Sequence, residues 1–230
     1  MLEDANWLPK IKTHISNRRA KGTRSIESED QRTESTARVF MDRDELRRTR
    51  HCHQPSVRLM LDLLGRLPKL DFTLALDAGC GDGMFTADCL ASKFKVVDML
   101  DPCPVAISKV KTLKVRLPAI DRVTRASMQE YQWRKCYNCI VLRWSAGYLD
   151  DEELVTFLEK ARKQLAGNPA RPTRSYQPSS CVFVLDNVLW HGQIPFTKDG
   201  QRVRAEATLE GIFREAGLHV AAKTPAMPLH

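Results

Sequence analysis

Residues 76–85, LDAGCGDGMF, decide the fold of this 230-residue chain. A single acid, Asp77, ends a short apolar run and is followed by three glycines at alternate positions, Gly79, Gly81 and Gly83. Glycine lets the backbone turn tightly and approach a ligand closely, because it has no Cβ. A loop of this kind between a strand and a helix is typical of nucleotide-like cofactor sites.

Strands and helices alternate on the C-terminal side of this loop. Apolar runs predict five strands, at 73–78, 94–100, 119–126, 136–144 and 181–187. Helical periodicity predicts a covering helix from Ser56 and later helices at 84–92, 104–113, 150–165 and 204–218, the last ending in a glycine cap. The run HVAA, 219–222, is a candidate start of a sixth strand. This alternation predicts an α/β fold with a doubly wound, mostly parallel sheet, which binds ligands at the carboxyl ends of its strands.

The N-terminal quarter of the chain has a different composition. Residues 1–54 are polar and charge-dense, and the stretch 10–24 holds six basic residues and no acid. We therefore predict a basic N-terminal arm over 1–54 and one domain over 55–230. Such an arm is either solvated or lies on an acidic partner, a protein or an RNA. The net charge of +8 agrees with an acidic partner but is spread along the chain.

The predicted cofactor is S-adenosylmethionine (AdoMet). Asp101 ends the second strand, where an acid accepts hydrogen bonds from ribose hydroxyls. The third glycine comes one residue sooner than in the dinucleotide pattern G-x-G-x-x-G, which weakens the nicotinamide alternative. Asp77 and Asp82 would also repel a pyrophosphate, whereas they tolerate the sulfonium and ammonium groups of AdoMet.

The segment after the third strand is expected to line the adenine. Met128 and Gln129 are the candidates for backbone and side-chain contacts, with Tyr131 or Trp133 packed nearby. The alternative is a loop whose aromatic residues belong to the core.

Four further stretches together resemble the α-N-terminal protein methyltransferases, which act on Xaa-Pro-Lys chain ends. They are FKVVDMLDP (94–102), YNCIVLRWSAGYLDDEELVTFLEKARKQL (137–165), VFVLDN (182–187) and GIFREAGL (211–218). The resemblance covers roughly residues 70–220. It implies a Rossmann-like class I methyltransferase that uses AdoMet to methylate the terminal amine of a protein.

The resemblance also implies roles for individual residues. Cofactor positions are matched by Gly79, Gly81, Asp101 and Gln129. The candidate catalytic residues in the acceptor site are Trp144, Asn187 and Asp199. An amine must lose its proton before its lone pair can attack a methyl group, so a carboxylate can accept that proton while an amide orients the nitrogen. Asp186 and Asn187, at the end of the fifth strand, lie where a substrate would arrive.

Several positions depart from the family pattern. Met84 stands where the family has an arginine for the methionine carboxylate, and Arg143, at a glutamine position, is a candidate for supplying the missing cation. Tyr148 replaces a histidine, and the segment 193–204 is basic apart from Asp199. These departures leave an alternative open: a degenerate methyltransferase retained as a structural or assembly subunit of a larger complex, such as a ribonucleoprotein.

The C-terminus predicts an incomplete sheet. The family fold ends in an antiparallel hairpin, but only twelve residues follow Leu218, too few for both strands. The shortened C-terminus would leave the fifth strand as an open edge, which we expect a partner or the N-terminal arm to cover.

Cysteine usage and hydropathy indicate the compartment. Seven scattered cysteines favour a reducing, intracellular compartment, with the cytoplasm, the nucleus and the mitochondrion as alternatives. No apolar run approaches the roughly 18 residues of a membrane span, so no membrane association is expected. HCH (51–53) and CYNC (136–139) lack a second ligand pair, and no metal site is expected.

Overall fold

The computed structural model describes residues 43–67, 69–166, 179–188 and 200–224, with side chains from His53 onward. The strands are β1 (Leu74–Ala78), β2 (Val96–Asp101), β3 (Ile120–Arg125), β4 (Cys139–Arg143) and β5 (Cys181–Leu185). The helices are α1 (Arg43–Gly65), α2 (Met84–Asp88), α3 (Pro104–Arg116), α4 (Asp151–Lys163) and α5 (Glu206–Glu215). Each predicted strand from the first to the fifth is therefore present within three residues of its expected bounds.

The five strands form one sheet in the order β3-β2-β1-β4-β5, and every neighbouring pair is parallel. This confirms the predicted doubly wound α/β architecture. The chain moves outward from β1 to β3 and then returns to pair β4 with the other side of β1. The topological switch point thus lies between β1 and β4, where ligands of such sheets bind.

Two apolar layers cover the sheet, because its strands are buried on both faces. Along β4, Cys139 and Val141 belong to one layer, while Ile140 and Leu142 belong to the other. The first layer receives side chains from α1, α2 and α3, and the second receives them from α4 and α5. Successive side chains of a strand point to opposite faces of the sheet, and both faces are covered by apolar layers. Nearly every residue of the central strands is therefore apolar.

Helix α1 begins earlier than the sequence predicts. It starts at Arg43 and runs through Pro55, so the predicted boundary between arm and domain falls within a helix. The apolar pattern begins only after Ser56, and an internal proline costs a helix one hydrogen bond, which explains the late prediction. His53 is buried and its Nε2 lies 2.8 Å from Oδ2 of Asp88, so this earlier turn connects α1 to α2.

The predicted sixth strand is wrong. Helix α5 ends at a glycine cap as expected: Gly217 has a φ of 74°, and the N–H of Leu218 donates to the carbonyl of Phe213 at 2.8 Å. The residues that follow, 219–223, are exposed and form no strand, and Nζ of Lys223 contacts Oε1 of Glu206 and Oε1 of Glu210 on α5. Within the described ranges β5 therefore pairs only with β4. None of the helices in these ranges is long and apolar enough to cross a membrane.

Candidate cofactor and acceptor site

The three glycines of the loop between β1 and α2 all have positive φ, at 84°, 55° and 81°. A Cβ on Gly79 would lie 2.4 Å from Cβ of Ser145, and one on Gly83 would lie 2.9 Å from Cδ2 of Leu113. A Cβ on Gly81 would meet nothing within 4 Å. Packing therefore requires the outer two glycines, whereas Gly81 faces open space that a ligand can occupy.

Asp101 fixes this loop to the end of β2. Its Oδ2 accepts a hydrogen bond from the N–H of Gly81 and its Oδ1 accepts one from the N–H of Cys103, both at 2.8 Å. Burial raises the pKa of this carboxyl, and the two backbone donors oppose the shift. Each carboxylate oxygen can accept a further hydrogen bond, so the predicted contact with ribose hydroxyls is chemically available.

Asp77 has a different environment. Its side chain is only 1% exposed and accepts a hydrogen bond from Oγ1 of Thr86 at 2.5 Å. Burial raises its pKa to about 6, while Thr86 and the charge of Arg143 act in the opposite direction. Asp77 therefore holds α2 against β1, and its predicted contact with the cofactor stays a prediction.

The segment after β3 contributes one residue beside the glycine loop and two aromatic residues to the core. The Cε of buried Met128 lies 3.4 Å from the position of a Cβ on Gly79, which places Met128 beside the loop. Gln129 is exposed, and its Nε2 donates to Oε1 of Glu153 at 3.1 Å. Tyr131 and Trp133 pack edge to face in the second core layer, as the core alternative predicts.

Trp144, a predicted acceptor-site residue, directly follows β4 at the same edge of the sheet. Among the described residues it is the only one other than glycine with a positive φ, which is 53°. Large side chains adopt this conformation only when their surroundings impose it. Its N–H donates to the carbonyl of Leu185 at 2.8 Å, which joins the ends of β4 and β5. The guanidinium carbon of Arg143 lies 3.8 Å from a Trp144 ring centroid and 4.8 Å from that of Phe85.

Asp186 and Asn187 follow directly after β5. The N–H of Asn187 donates to Oδ1 of Asp186 at 2.8 Å, and the N–H of Gly147 is a second donor to the same carboxylate. Burial raises the pKa of Asp186 to about 6, although these bonds and the charge of Arg204 lower it. A carboxylate and an amide thus follow one another at the end of β5, and their role toward an acceptor stays a prediction. Asp199 lies outside the described residues, so its position stays a prediction.

Arg204 stabilises the turn after Trp144, and the sequence pattern did not predict this role. Its guanidinium is buried and donates to the carbonyls of Ala146 and Leu149 at 3.1 and 2.6 Å, and to Oδ1 of Asp151 at 2.8 Å. These bonds fix the 3₁₀ turn that follows Trp144. No local signal identifies such a residue, since its partners lie more than fifty positions away in the chain.

The segment that leads into α5 adds two further contacts to this turn. The N–H of Arg202 donates to the carbonyl of Gly147 at 2.7 Å, and Nε2 of Gln201 donates to the hydroxyl of Tyr148 at 2.7 Å. Tyr148 thus occupies the expected histidine position and accepts a hydrogen bond there. A tyrosine hydroxyl is a poor base at neutral pH, so Tyr148 is poorly suited to accept a proton.

The comparison with protein families decides the classification. A family model described as AdoMet dependent proline di-methyltransferase matches residues 55–229. The chain belongs to this family. The recognition made from sequence is therefore confirmed, and so is AdoMet as the family's cofactor.

Named N-terminal methyltransferases from other organisms also match part of this chain. N-terminal Xaa-Pro-Lys N-methyltransferase 1-B of Xenopus laevis is 30% identical over 152 residues, which are 65% of this chain and 63% of that protein. Alpha N-terminal protein methyltransferase 1 of Dictyostelium discoideum is 26% identical over 152 residues, covering 65% and 52%. This chain spans less than two thirds of the length of these curated relatives.

Solved structures share the fold. A SAM-dependent methyltransferase from Leishmania major superposes with a TM-score of 0.71 at 22% identity, covering 84% of this chain and 74% of that one. An S-adenosylmethionine-dependent methyltransferase from Clostridium acetobutylicum gives 0.59 at 14% identity, covering 80% and 86%. At these identities the likeness shows a class I methyltransferase fold.

The described residues fit the family's cofactor. The open face of Gly81, the acceptor oxygens of Asp101 and the side chain of Met128 meet at the carboxyl edge of the sheet. A nucleoside with vicinal hydroxyls suits this combination, because a close backbone approach lies beside a fixed carboxylate. Within the described ranges no group of three or more His, Cys, Asp or Glu side chains is arranged to hold a metal ion.

The two buried carboxyls predict a pH dependence of stability. Asp77 and Asp186 each have a pKa of about 6 in the folded protein, against 3.8 for an exposed aspartate. Such a group binds a proton more readily when folded, so the free energy of unfolding rises as pH falls from 7 toward 4. We expect a gain of about 1 kcal/mol per group between pH 7 and pH 5.

Urea denaturation at both pH values would measure this gain. Asp77→Asn and Asp186→Asn should each show a pH dependence smaller by about that amount, while Asp62→Asn, at an exposed position on α1, should behave as the wild type. A wild-type pH dependence retained in both buried-site variants would contradict the prediction.

Proposed function

We propose that this protein is an AdoMet-dependent methyltransferase that methylates the α-amine of a protein N-terminus. The observation that carries the proposal is the open glycine loop beside Asp101, within the stretch that matches the proline di-methyltransferase family. The names of its relatives state N-terminal methyltransferase activity for those proteins, and the proposal extends that activity to this chain.

The cofactor half of the site positions the methyl donor. AdoMet supplies an electrophilic methyl group on a sulfonium. Gly79 and Gly83 shape the loop, Gly81 lets the backbone approach the ligand, and Asp101 accepts from the ribose hydroxyls. Met128 provides an apolar contact next to the loop, and we assign the adenine contact of Gln129 and the amino-acid contact of Asp77 to the same site.

The acceptor half of the site must remove a proton from the substrate's α-ammonium group to give a neutral amine. With a pKa of about 6, Asp186 is mostly ionised at neutral pH and is able to take a proton from the α-ammonium group. Asn187 orients the nitrogen, Trp144 offers a ring face to the cationic chain end, and Asp199 adds a second carboxylate. The deprotonated nitrogen would then form a bond to the methyl carbon while the methyl–sulfur bond breaks, leaving S-adenosylhomocysteine, and the proton taken from the ammonium group would remain on a carboxylate.

A methylation assay tests the proposal. The protein is incubated with AdoMet labelled in the methyl group and with peptides that begin Xaa-Pro-Lys, each compared with its N-acetylated form. We expect label only on free amines. Asp101→Ala should weaken binding of S-adenosylhomocysteine, the demethylated cofactor, about 100-fold, because two charge-assisted contacts are lost.

Asp62→Ala is the matched control, since it removes an exposed carboxylate on α1 that, among the described residues, pairs with Arg66 one helical turn away. It should leave cofactor binding unchanged. Failure of the wild type to bind S-adenosylhomocysteine at millimolar concentration would overturn the proposal and favour the degenerate subunit. That alternative has no specific support in the described residues or in the comparisons.

The remaining expectations concern partners and compartment. We propose that residues 1–54 and the edge of β5 bind a protein or RNA partner, and that the chain works in a reducing intracellular compartment. The edge is the better supported surface, because within the described ranges β5 has a neighbour on one side only. Protection of Cys181–Leu185 amides from hydrogen exchange on addition of a partner would support it, and unchanged exchange would count against it.

A further inference from the structure

We propose that helix α3, together with the adjoining edge of the sheet, binds double-stranded DNA through the phosphate backbone. This surface contains none of the residues assigned to the cofactor or the acceptor, and its proposed role is separate from methyl transfer. Residues 104–125, which include α3 and β3, hold six basic residues and one acid. These 22 of the chain's 230 residues therefore carry +5 of its net charge of +8.

Helix α3 presents an uncharged stripe to solvent. Its buried residues, Ala106, Ile107 and Val110, pack toward the sheet. The exposed residues on the opposite side follow one another at intervals of three and four positions and are Val105, Ser108, Thr112 and Val115. Such spacing places them on one face of the helix, and their short side chains allow another surface to approach closely.

Basic residues occupy both flanks of this stripe. Lys109 and Arg116, seven positions apart, lie on one flank, whereas Lys111 and Lys114, three positions apart, lie on the other. All four are exposed, and α3 contains no acidic residue. The helix thus carries a row of positive charge on either side of its uncharged stripe.

Strand β3 extends one of these flanks to the edge of the sheet. Nζ of Lys114 donates to the carbonyl of Asp121 near the start of β3, and Nε of Arg125, at the end of β3, lies 3.5 Å from the carbonyl of Pro102 just before α3. Arg125 is exposed and adds a further cation. The carboxylate of Asp121, the acid of this surface, pairs with Nζ of Lys135 at 2.9 Å. The positive charge of the surface is therefore largely uncompensated by its own residues.

The composition of this surface favours nucleic acid over other anionic partners. Lysine is depleted in protein–protein interfaces and is a common ligand of phosphate. The buried apolar side of α3 faces the sheet, whereas a helix that lies on a membrane turns its apolar side to lipid. Residues 102–130 contain no Phe, Tyr or Trp, the side chains on which the bases of single strands stack. These features favour a duplex that is contacted through its phosphates.

The shape of the helix favours a duplex of the B form. An α-helix with its side chains is about 10–12 Å across, and the major groove of B-DNA is about 12 Å wide. The uncharged stripe can lie along this groove while the cations of the two flanks reach the phosphates of the two strands. The major groove of duplex RNA is too narrow for side chains to read. The stripe carries no Arg, Asn or Gln, the residues that most often read bases, so binding is expected to be independent of sequence.

Fluorescence anisotropy of the full chain with a labelled DNA duplex of about 20 base pairs tests the charged flanks. The wild type should bind with a Kd of about 1–100 μM. Lys111→Gln/Arg116→Gln should weaken binding roughly 10-fold and make the slope of log K against log[KCl] shallower by about 1.8, because each phosphate contact contributes about 0.9. Lys160→Gln/Lys163→Gln, at two exposed lysines of α4, has the same charge change and should retain the wild-type slope.

Thr112→Glu tests the stripe. A carboxylate at this position would face the groove, so the substitution should weaken DNA binding about 10-fold or more. Thr156→Glu, at an exposed threonine of α4, is the matched control and should have little effect. A duplex RNA of the same sequence should bind more weakly than the DNA.

No DNA binding by the wild type at about 100 μM would overturn the proposal, and so would an equal loss of slope in the α3 and α4 double variants. Equal affinity for RNA and DNA would contradict the fit to the B-form groove, and tighter binding of polyglutamate than of DNA would identify an acidic protein as the partner instead. None of these outcomes depends on binding of S-adenosylhomocysteine, so failure of the proposed function would be seen separately.

Discussion

Gly79→Ala is expected to lower the free energy of unfolding by about 3 kcal/mol, since overpacking and a left-handed backbone each cost about 1–3 kcal/mol. The new methyl would lie 2.4 Å from Cβ of Ser145, and φ at this position is 84°. Ser145 cannot yield easily, because it is buried and its Oγ donates to the carbonyl of Ala78 at 2.8 Å. Urea denaturation followed by circular dichroism would measure the loss.

Two other glycines serve as controls for this substitution. Gly81→Ala adds a methyl that meets nothing within 4 Å at a φ of 55°, so it should cost only the left-handed backbone, about 1–2 kcal/mol. Gly211→Ala, inside α5 and also without a close neighbour, should stabilise the protein by about 0.5–1 kcal/mol. If Gly79→Ala were no more harmful than Gly81→Ala, the close packing of β1 against β4 would be contradicted.

Arg204→Ala should also destabilise the protein by roughly 3 kcal/mol, because loss of a buried charged donor leaves its partners unsatisfied. Two carbonyls, of Ala146 and Leu149, would lose their side-chain donor, and the salt bridge to Asp151 would be broken. The same bonds hold the turn after Trp144, so acceptor binding should suffer even at temperatures where the variant is folded.

Arg214→Ala is the matched control, because this arginine is exposed on α5. Thermal and urea unfolding of the two variants, compared with the wild type, give the difference directly. A loss for Arg204→Ala within about 0.5 kcal/mol of the control value would show that the buried guanidinium is not needed for stability.

Local patterns explain what could be predicted. Apolar runs identified the strands, and the acids and bases at the ends of α4 identified a helix that the structure begins with a capping box of Asp150 and Glu153. The glycine loop and Asp101 were found for the same reason, since a strand-to-helix turn places them at one edge of the sheet. These features are set by residues close together in the chain.

The features that could not be predicted depend on distant contacts. Ser145 and Arg204 become important only when β4 lies beside β1 and the segment before α5 reaches the turn at 146–148. The first turns of α1 were missed because their composition is polar, and a strand was predicted at 219–222, a segment that pairs with no strand among the described residues. In each case tertiary packing, rather than propensity, decided the outcome.

The pairing of β1 with both β2 and β4 also has a consequence for how the chain folds. Ala75 pairs with Val97 on one side and with Cys139 on the other, which is about three times farther along the chain. Closing the longer loop costs more chain entropy, so we expect the seam between β1 and β4 to form after the parallel pairing of β1, β2 and β3. The proposed cofactor residues Gly81 and Asp101 lie on one side of that seam, and the proposed acceptor residue Trp144 lies on the other. A ligand that contacts residues on both sides of this seam would therefore raise the free energy of unfolding by stabilising the junction of β1 with β4.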